Sequence, residues 1–376
     1  LRAREFPHIG ESIYLNAASV APLPTRAVRE ISSYNSRRQR VHQLSDADFA
    51  EPLNRSRAAA ATLIGADPDE IALGWNTSFG INLVALGLNR ERGRTIVVSD
   101  REFPANVYPW MSREDFTLDL VPVRPGGLPD EDRLMERLDQ PGVAVFALSS
   151  VQFASGYLAD LVKFGRFCRE RGILFVVDAI QSLGQVPLDV RAANIDVLAA
   201  GGHKWLLSPF GTGFAFVRRE LHQTIQPRVV GWTSMTASED ISALTDYRWE
   251  WREGAKRYEV ATLPFQDFAG FAASLELLLE IGVDRIRSHQ EQILQPLMQW
   301  LQSRPEIVVE SDRTPERRSG IVALRHPDGE RAFAALTEAG VVCVLREGAI
   351  RLSPHIYNLR EEIEAVVEIL ESQGSR

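Results

Sequence analysis

The chain has 376 residues, of which 45% are hydrophobic and 24% charged, enough for one large globular domain and one smaller one. Its formal net charge of −8 argues against nucleic acid as a main partner, and the short basic clusters Arg37–Arg38–Arg40 and Arg317–Arg318 read as solvated faces. Two cysteines, Cys168 and Cys343, exclude a disulfide framework, no apolar run reaches the roughly 20 residues that cross a bilayer, and no leader pattern opens the chain, so a cytoplasmic protein with no membrane partner is expected.

The opening is loop-like, with Leu15 to Ser19 ahead of Pro22 and Pro24. Apolar and alanine positions three or four apart predict helices over 25–42 and 51–64. Asn76, Thr77 and Ser78 precede the helical pattern Ile81, Leu83, Val84, Leu86 and so read as a helix start with its cap. Strands are expected at 95–99, 117–123, 143–149, 173–177, 195–199 and 213–217, with helices at 105–112, 130–138 and 159–171. Strands that are apolar on both faces and alternate with helices imply an α/β fold built on a mostly parallel, helix-covered sheet. Such sheets bind ligands beyond the carboxyl ends of their strands. Residues 228–262 are irregular and rich in Trp, Arg and Glu, and 265–302 reads as one long helical region. Then follow a strand at Ile321–Leu324, a helix at Glu330–Glu338, strands at Val341–Leu345 and Ile350–Ser353, and a helix at Arg360–Leu370. The expected division is a large domain over 20–262, a helical connector over 263–302 and a small α+β domain over 303–376.

The most informative stretch is 174–213. The apolar run Leu174–Val177 ends on Asp178, with Gln181 three residues on. A second apolar run, Ile195–Ala200, delivers Gly201, Gly202, His203 and Lys204. A carboxylate at the end of one buried strand and a lysine in the turn after the next can share a crevice. That pairing suits pyridoxal 5′-phosphate: the amine forms a Schiff base and the acid keeps the ring nitrogen protonated. A lysine among apolar groups has a lowered pKa, which favours both Schiff-base formation and proton transfer. Thr77 and Ser78, at a helix start with free N–H groups, suit a phosphate. Arg351, in IRLSPHIYN (350–358), has the fork that grips a carboxylate, although an arginine on a strand can also form a surface ion pair.

The spacing D-x-x-Q, then G-H-K and a Gly-rich turn, resembles the class V aminotransferase group of fold-type I enzymes, which includes cysteine desulfurases, selenocysteine lyases and isopenicillin N epimerase-like proteins. The resemblance runs from YLNAAS (14–19) to IRLSPHIYN. It implies the fold-type I seven-stranded sheet, with N-terminal residues 1–19 joining the small domain. It implies pyridoxal phosphate on Lys204 and Asp178, with Gln181 at the cofactor's 3′-oxygen and His203 near its phosphate. Phe103, in DREFPANVYPW (100–110), falls where relatives stack a ring on the cofactor, and Gln152, in SSVQFASG (149–156), where they carry an Asn or Gln. Thr262, in RYEVATLP (257–264), matches a threonine that reaches the phosphate of the neighbouring subunit, which makes a homodimer the expected assembly. Arg351 would hold the α-carboxylate of a small amino-acid substrate, with Asn16 and Ala17 lining the same pocket.

Two departures matter. Desulfurases carry a nucleophilic cysteine on a mobile loop ahead of that arginine. Here Cys343 sits in an apolar run and only a short turn separates the strands, so a persulfide-forming mechanism is not expected. A serine that precedes G-H-K in many relatives is replaced by glycine. Lyase, aminotransferase and epimerase chemistry all stay open, as does a non-catalytic cofactor-binding role.

Overall fold

The computed structural model describes residues 1–89 and 93–373. Its large sheet has seven strands: β1 (Ile71–Gly74), β2 (Thr95–Ser99), β3 (Thr117–Val121), β4 (Val143–Ser149), β5 (Leu174–Asp178), β6 (Val197–Gly201) and β7 (Gly213–Val217). The spatial order is β1-β7-β6-β5-β4-β2-β3. All neighbours are parallel except those of β7, which runs antiparallel to both β1 and β6. Every residue of β4 to β7 is buried. Alternate side chains enter different cores, Phe146 and Leu148 on one face and Val145 and Ala147 on the other. That explains why these strands read as continuous apolar runs: helices cover both faces.

Strand β1 is absent from the sequence reading. Four residues between a helix and a helix cap are too few to show a period, and only pairing with β7 makes them a strand. The expected helix at 105–112 is two short pieces, Pro104–Asn106 and Tyr108–Met111. The region 265–302 is two helices, Phe265–Ile281 and Val283–Gln302. They are broken at Gly282, whose φ of 87° lies in the region that favours glycine.

The expected strand Val341–Leu345 also divides. Val341–Val342 pairs in parallel with Ile13–Tyr14, while Val344–Arg346 pairs with Ala349–Leu352. Ala349–Leu352 in turn pairs with Val322–Arg325, which pairs with Val308–Val309, giving a four-stranded antiparallel sheet. Asn16 bridges to Ser353, so the N-terminal segment continues along the small sheet and brings the residues after it to the edge of the large one. Among the described residues, no helix is long and apolar enough to cross a membrane.

Candidate active site

The carboxyl ends of β5 and β6 open into a cavity of about 370 Å³. Asp178 is the last residue of β5 and is only 2% exposed. Its Oδ1 accepts the Ile180 N–H at 3.0 Å, while its Oδ2 is buried with no partner. Burial pushes its pKa up to about 7. The Ile180 bond and Lys204 oppose that shift, and the nearby Glu102 adds to it. An orphaned buried carboxylate oxygen costs stability in the free protein and marks a place where a donor is missing.

Lys204 comes from the turn after β6, and several constraints pin that turn. Gly202 cannot carry a side chain, because a Cβ there would lie 2.6 Å from Thr212 Oγ1 and 2.9 Å from Ser208 Cβ. The Leu207 N–H bonds the Lys204 carbonyl at 2.9 Å, and Leu207 itself holds a positive φ of 56°. The Leu207 carbonyl accepts from Ser274 Oγ at 2.8 Å. A leucine persists in the left-handed region only where its surroundings over-determine it. Lys204 is 8% exposed, and its Nζ lies 5.4 Å from the centre of the Phe103 ring. Burial pulls its pKa down to about 8; Asp178 opposes this, and Arg351 and Arg346 reinforce it. His203, beside it, stacks on Phe210 and is held near a pKa of 4 by burial and by Lys204, so it is neutral at physiological pH.

The helix Thr77–Gly87 points its first turn at the same cavity. Asn76 caps it, with Oδ1 accepting the Phe79 N–H at 3.0 Å, and Thr77 Oγ1 accepts the Gly201 N–H at 3.1 Å. Asn76, Thr77 and Ser78 all line the cavity. Gln181 lines it too. Its Nε2 donates to the Ala18 carbonyl at 3.1 Å and its Oε1 accepts from Trp205 Nε1 at 2.7 Å, which fixes the amide's orientation. Phe103 stands edge-on to Phe153, with ring centres 5.3 Å apart. Arg351, only 2% exposed, closes the far wall, donating to the Phe153 carbonyl at 2.7 Å and to Ser19 Oγ at 2.8 Å.

Four expected residues lie elsewhere. Gln152 turns away from the cavity and donates to Glu102 Oε1 at 2.6 Å. Asn16 and Ala17 do not line the pocket; the loop instead presents Ala18 and Ser19, because Asn16 is tied to Ser353 and Ala17 is fully buried. Thr262 is exposed and outside this cavity.

Three residues escaped the sequence reading. Phe153 lies in the segment SSVQFASG, where only its neighbour Gln152 was singled out. Arg346 enters because the Glu347–Gly348 turn, with φ of 51° and 80°, folds its strand back on that of Arg351. Glu102 is 5% exposed and accepts from the Ser149 N–H at 2.9 Å, from Asn106 Nδ2 at 3.1 Å, from Gln152 and from the Ser149 hydroxyl. Burial still pushes its pKa up. Its place next to the expected ring-stacking residue was the only available signal.

The arrangement fits pyridoxal phosphate on its own chemistry. The orphaned Asp178 oxygen awaits a donor, the Lys204 amine is easily deprotonated, a helix start offers N–H groups, and Phe103 offers an aromatic face. Fold and site together define a pyridoxal phosphate enzyme of fold type I. The family model for class V aminotransferases matches residues 13–366. A probable cysteine desulfurase of Methanothermobacter thermautotrophicus is 30% identical over 394 aligned positions, covering 98% of this chain and 96% of its own. Among solved structures, the cysteine desulfurase from Thermococcus onnurineus NA1 superposes with a TM-score of 0.88 at 26% identity, covering 99% of this chain and 97% of its own. The cystine C–S lyase C-DES in complex with its reaction product cysteine persulfide gives 0.86 at 26%, covering 97% and 99%. The chain belongs to the class V aminotransferase family, and its cofactor is pyridoxal 5′-phosphate.

Proposed function

We propose that this enzyme acts on a small L-amino acid through a Schiff base on Lys204, as a C–S lyase or an aminotransferase, without a cysteine nucleophile. The observation that carries this is the meeting of Lys204, the free Asp178 oxygen and the buried Arg351 fork in one cavity that Cys343 does not line. Pyridoxal phosphate supplies an electron sink for charge developing at the substrate's Cα. Asp178 holds a proton at the ring nitrogen and so keeps that sink effective. Lys204, with a pKa near 8, moves the Cα proton close to neutral pH. The N–H groups at Thr77 and Ser78 hold the phosphate with His203 beside them, and Phe103 packs on the ring. The second N–H of Gln181 serves the 3′-oxygen; Gln152 would have to leave Glu102 to do so. Exposed Thr262 suits a contact with the phosphate of a second subunit in a homodimer. The likeness to a cystine C–S lyase over nearly its whole length supports the lyase branch. A panel of L-amino acids including cysteine and cystine, scored for pyruvate, sulfide, ammonia and keto acid, separates the branches. No product from any of them would sink the proposal.

Cys343 is half-buried, and burial pushes its thiol pKa up to about 12, so little thiolate exists at neutral pH. It lies between two strand pairings rather than on a loop. Cys343→Ser should therefore keep most of the activity, within about threefold, as expected for a change outside the site. A folded variant that is inactive, together with a persulfide trapped on the wild type, would restore the desulfurase route.

Arg351→Lys should raise the apparent substrate Kd tenfold or more while the cofactor spectrum stays unchanged. An ammonium cannot reproduce two parallel charge-assisted bonds, each worth roughly 1.5–3 kcal/mol. Wild type should prefer an amino acid strongly over its decarboxylated amine, and the variant should not. Equal preference in both would make Arg351 a structural residue.

A further inference from the structure

With the cofactor phosphate at the helix start, the cavity still presents two guanidinium groups where a substrate with one carboxylate needs one. Lys204, Arg346 and Arg351 line it, and among the described residues Asp178 is the only acid that does. Asp178 belongs to the ring nitrogen on the reading above. Arg351 has two neutral acceptors, the Phe153 carbonyl and the Ser19 hydroxyl. Arg346 has none: among the described residues its side chain makes no hydrogen bond or ion pair, and its Nε is buried without an acceptor.

The backbone explains why the two guanidinium groups converge. In the antiparallel hairpin, Val344 faces Arg351 and Arg346 faces Ala349. Arg346 and Arg351 are therefore diagonal neighbours on one face, with backbones roughly 7–8 Å apart. The two residues of the turn make this so. Five positions apart on a single strand, the side chains would point to opposite faces. Burial first and the neighbouring Arg346 second lower the Arg351 pKa to about 10. Arg351 is buried and Arg346 half-buried with its Nε enclosed, and among the described residues neither guanidinium has an anionic partner; an unpaired charge of this kind persists where a ligand compensates it.

We propose that Arg346 is a second oxyanion site, and that the substrate is an L-amino acid whose side chain itself carries a carboxylate or sulfinate. Arg351 takes the α-carboxylate and Arg346 the side-chain group. This rests on the cofactor and carboxylate assignments proposed above.

The test uses the cofactor-loaded protein and follows its absorbance during titration with matched pairs: aspartate against asparagine, and cysteine sulfinate against cysteine. In the wild type the acidic member of at least one pair should bind tenfold tighter or more. The aspartate pair reports a carboxylate subsite and the sulfinate pair a sulfinate subsite. Arg346→Met should bring the members of that pair to within about threefold. A second readout needs no turnover: succinate should raise the melting temperature more than propionate does, and Arg346→Met should erase the difference. Equal affinities within both pairs in the wild type would overturn the proposal, as would a preference that survives in Arg346→Met. A variant that loses cofactor affinity but keeps the preference would place Arg346 on the phosphate and overturn it as well. If no amino acid of either kind perturbs the cofactor band, the proposed function fails. Succinate protection then still tests the anion subsite separately.

Discussion

Lys204→Ala should abolish the cofactor's visible absorbance band and lower turnover by roughly 10²–10⁴-fold, the usual range for a positioned acid–base group. The chain has only three lysines, Lys163, Lys204 and Lys256. Lys163 lies 3.5 Å from Glu131 in an ion pair, and neither it nor Lys256 lines the cavity. No neighbour can substitute for the missing amine. Borohydride reduction of the wild type followed by peptide mapping should place the cofactor's mass on Lys204 alone. A band that survives in Lys204→Ala after borohydride treatment and dialysis would assign the Schiff base to another residue.

Asp178→Asn should leave the cofactor bound and reduce turnover on the order of a hundredfold. A neutral amide cannot hold a proton on the ring nitrogen. Losing a charge-assisted bond of about 1.5–3 kcal/mol from the transition state costs one to two powers of ten. The same substitution has an opposite effect on the free protein. The folded pKa of about 7 lies above the ordinary carboxylate value of 3.8, so the folded state favours the protonated acid. The stability this contributes is fully present below the unfolded pKa and is lost as pH rises through about 7. Above pH 7 the wild-type protein without cofactor carries a buried charge, only partly offset by Lys204 and the Ile180 N–H, that Asn removes. Cofactor-free Asp178→Asn should therefore melt higher than wild type at pH 8. Near-normal turnover would remove Asp178 from the chemistry, and a lower melting point at pH 8 would refute the buried-charge account.

The central strands were readable because each is apolar on both faces and bounded by polar turns. The run Val143–Ser149 matches its strand end to end. The strands expected at 173–177 and 195–199 end later, at Asp178 and Gly201, because the pairs Ser149–Asp178 and Gly201–Gly213 carry the ladders further. Strand β1 and the break at Cys343 were not readable, since both are set by partners distant in sequence. Lys204, Asp178, Gln181, Thr77, Ser78 and His203, which all line the cavity, were legible because each sits at a strand end, helix start or turn whose local pattern marks the boundary, whereas Arg351 lies inside the strand Ala349–Leu352 and was singled out by its motif.

What the amino-acid sequence determined by itself was the sheet, the acid and lysine at its carboxyl edge, and the family these imply. The reason is that backbone periodicity and end signals are local. The tertiary structure alone decided which face of the N-terminal loop meets the pocket, so that Ala18 and Ser19 enter rather than Asn16 and Ala17. It alone turned Gln152 onto Glu102 and brought Arg346 beside Arg351. Those outcomes depend on register between strands and on which buried polar groups find one another, and neither is encoded within a few residues of the side chains concerned.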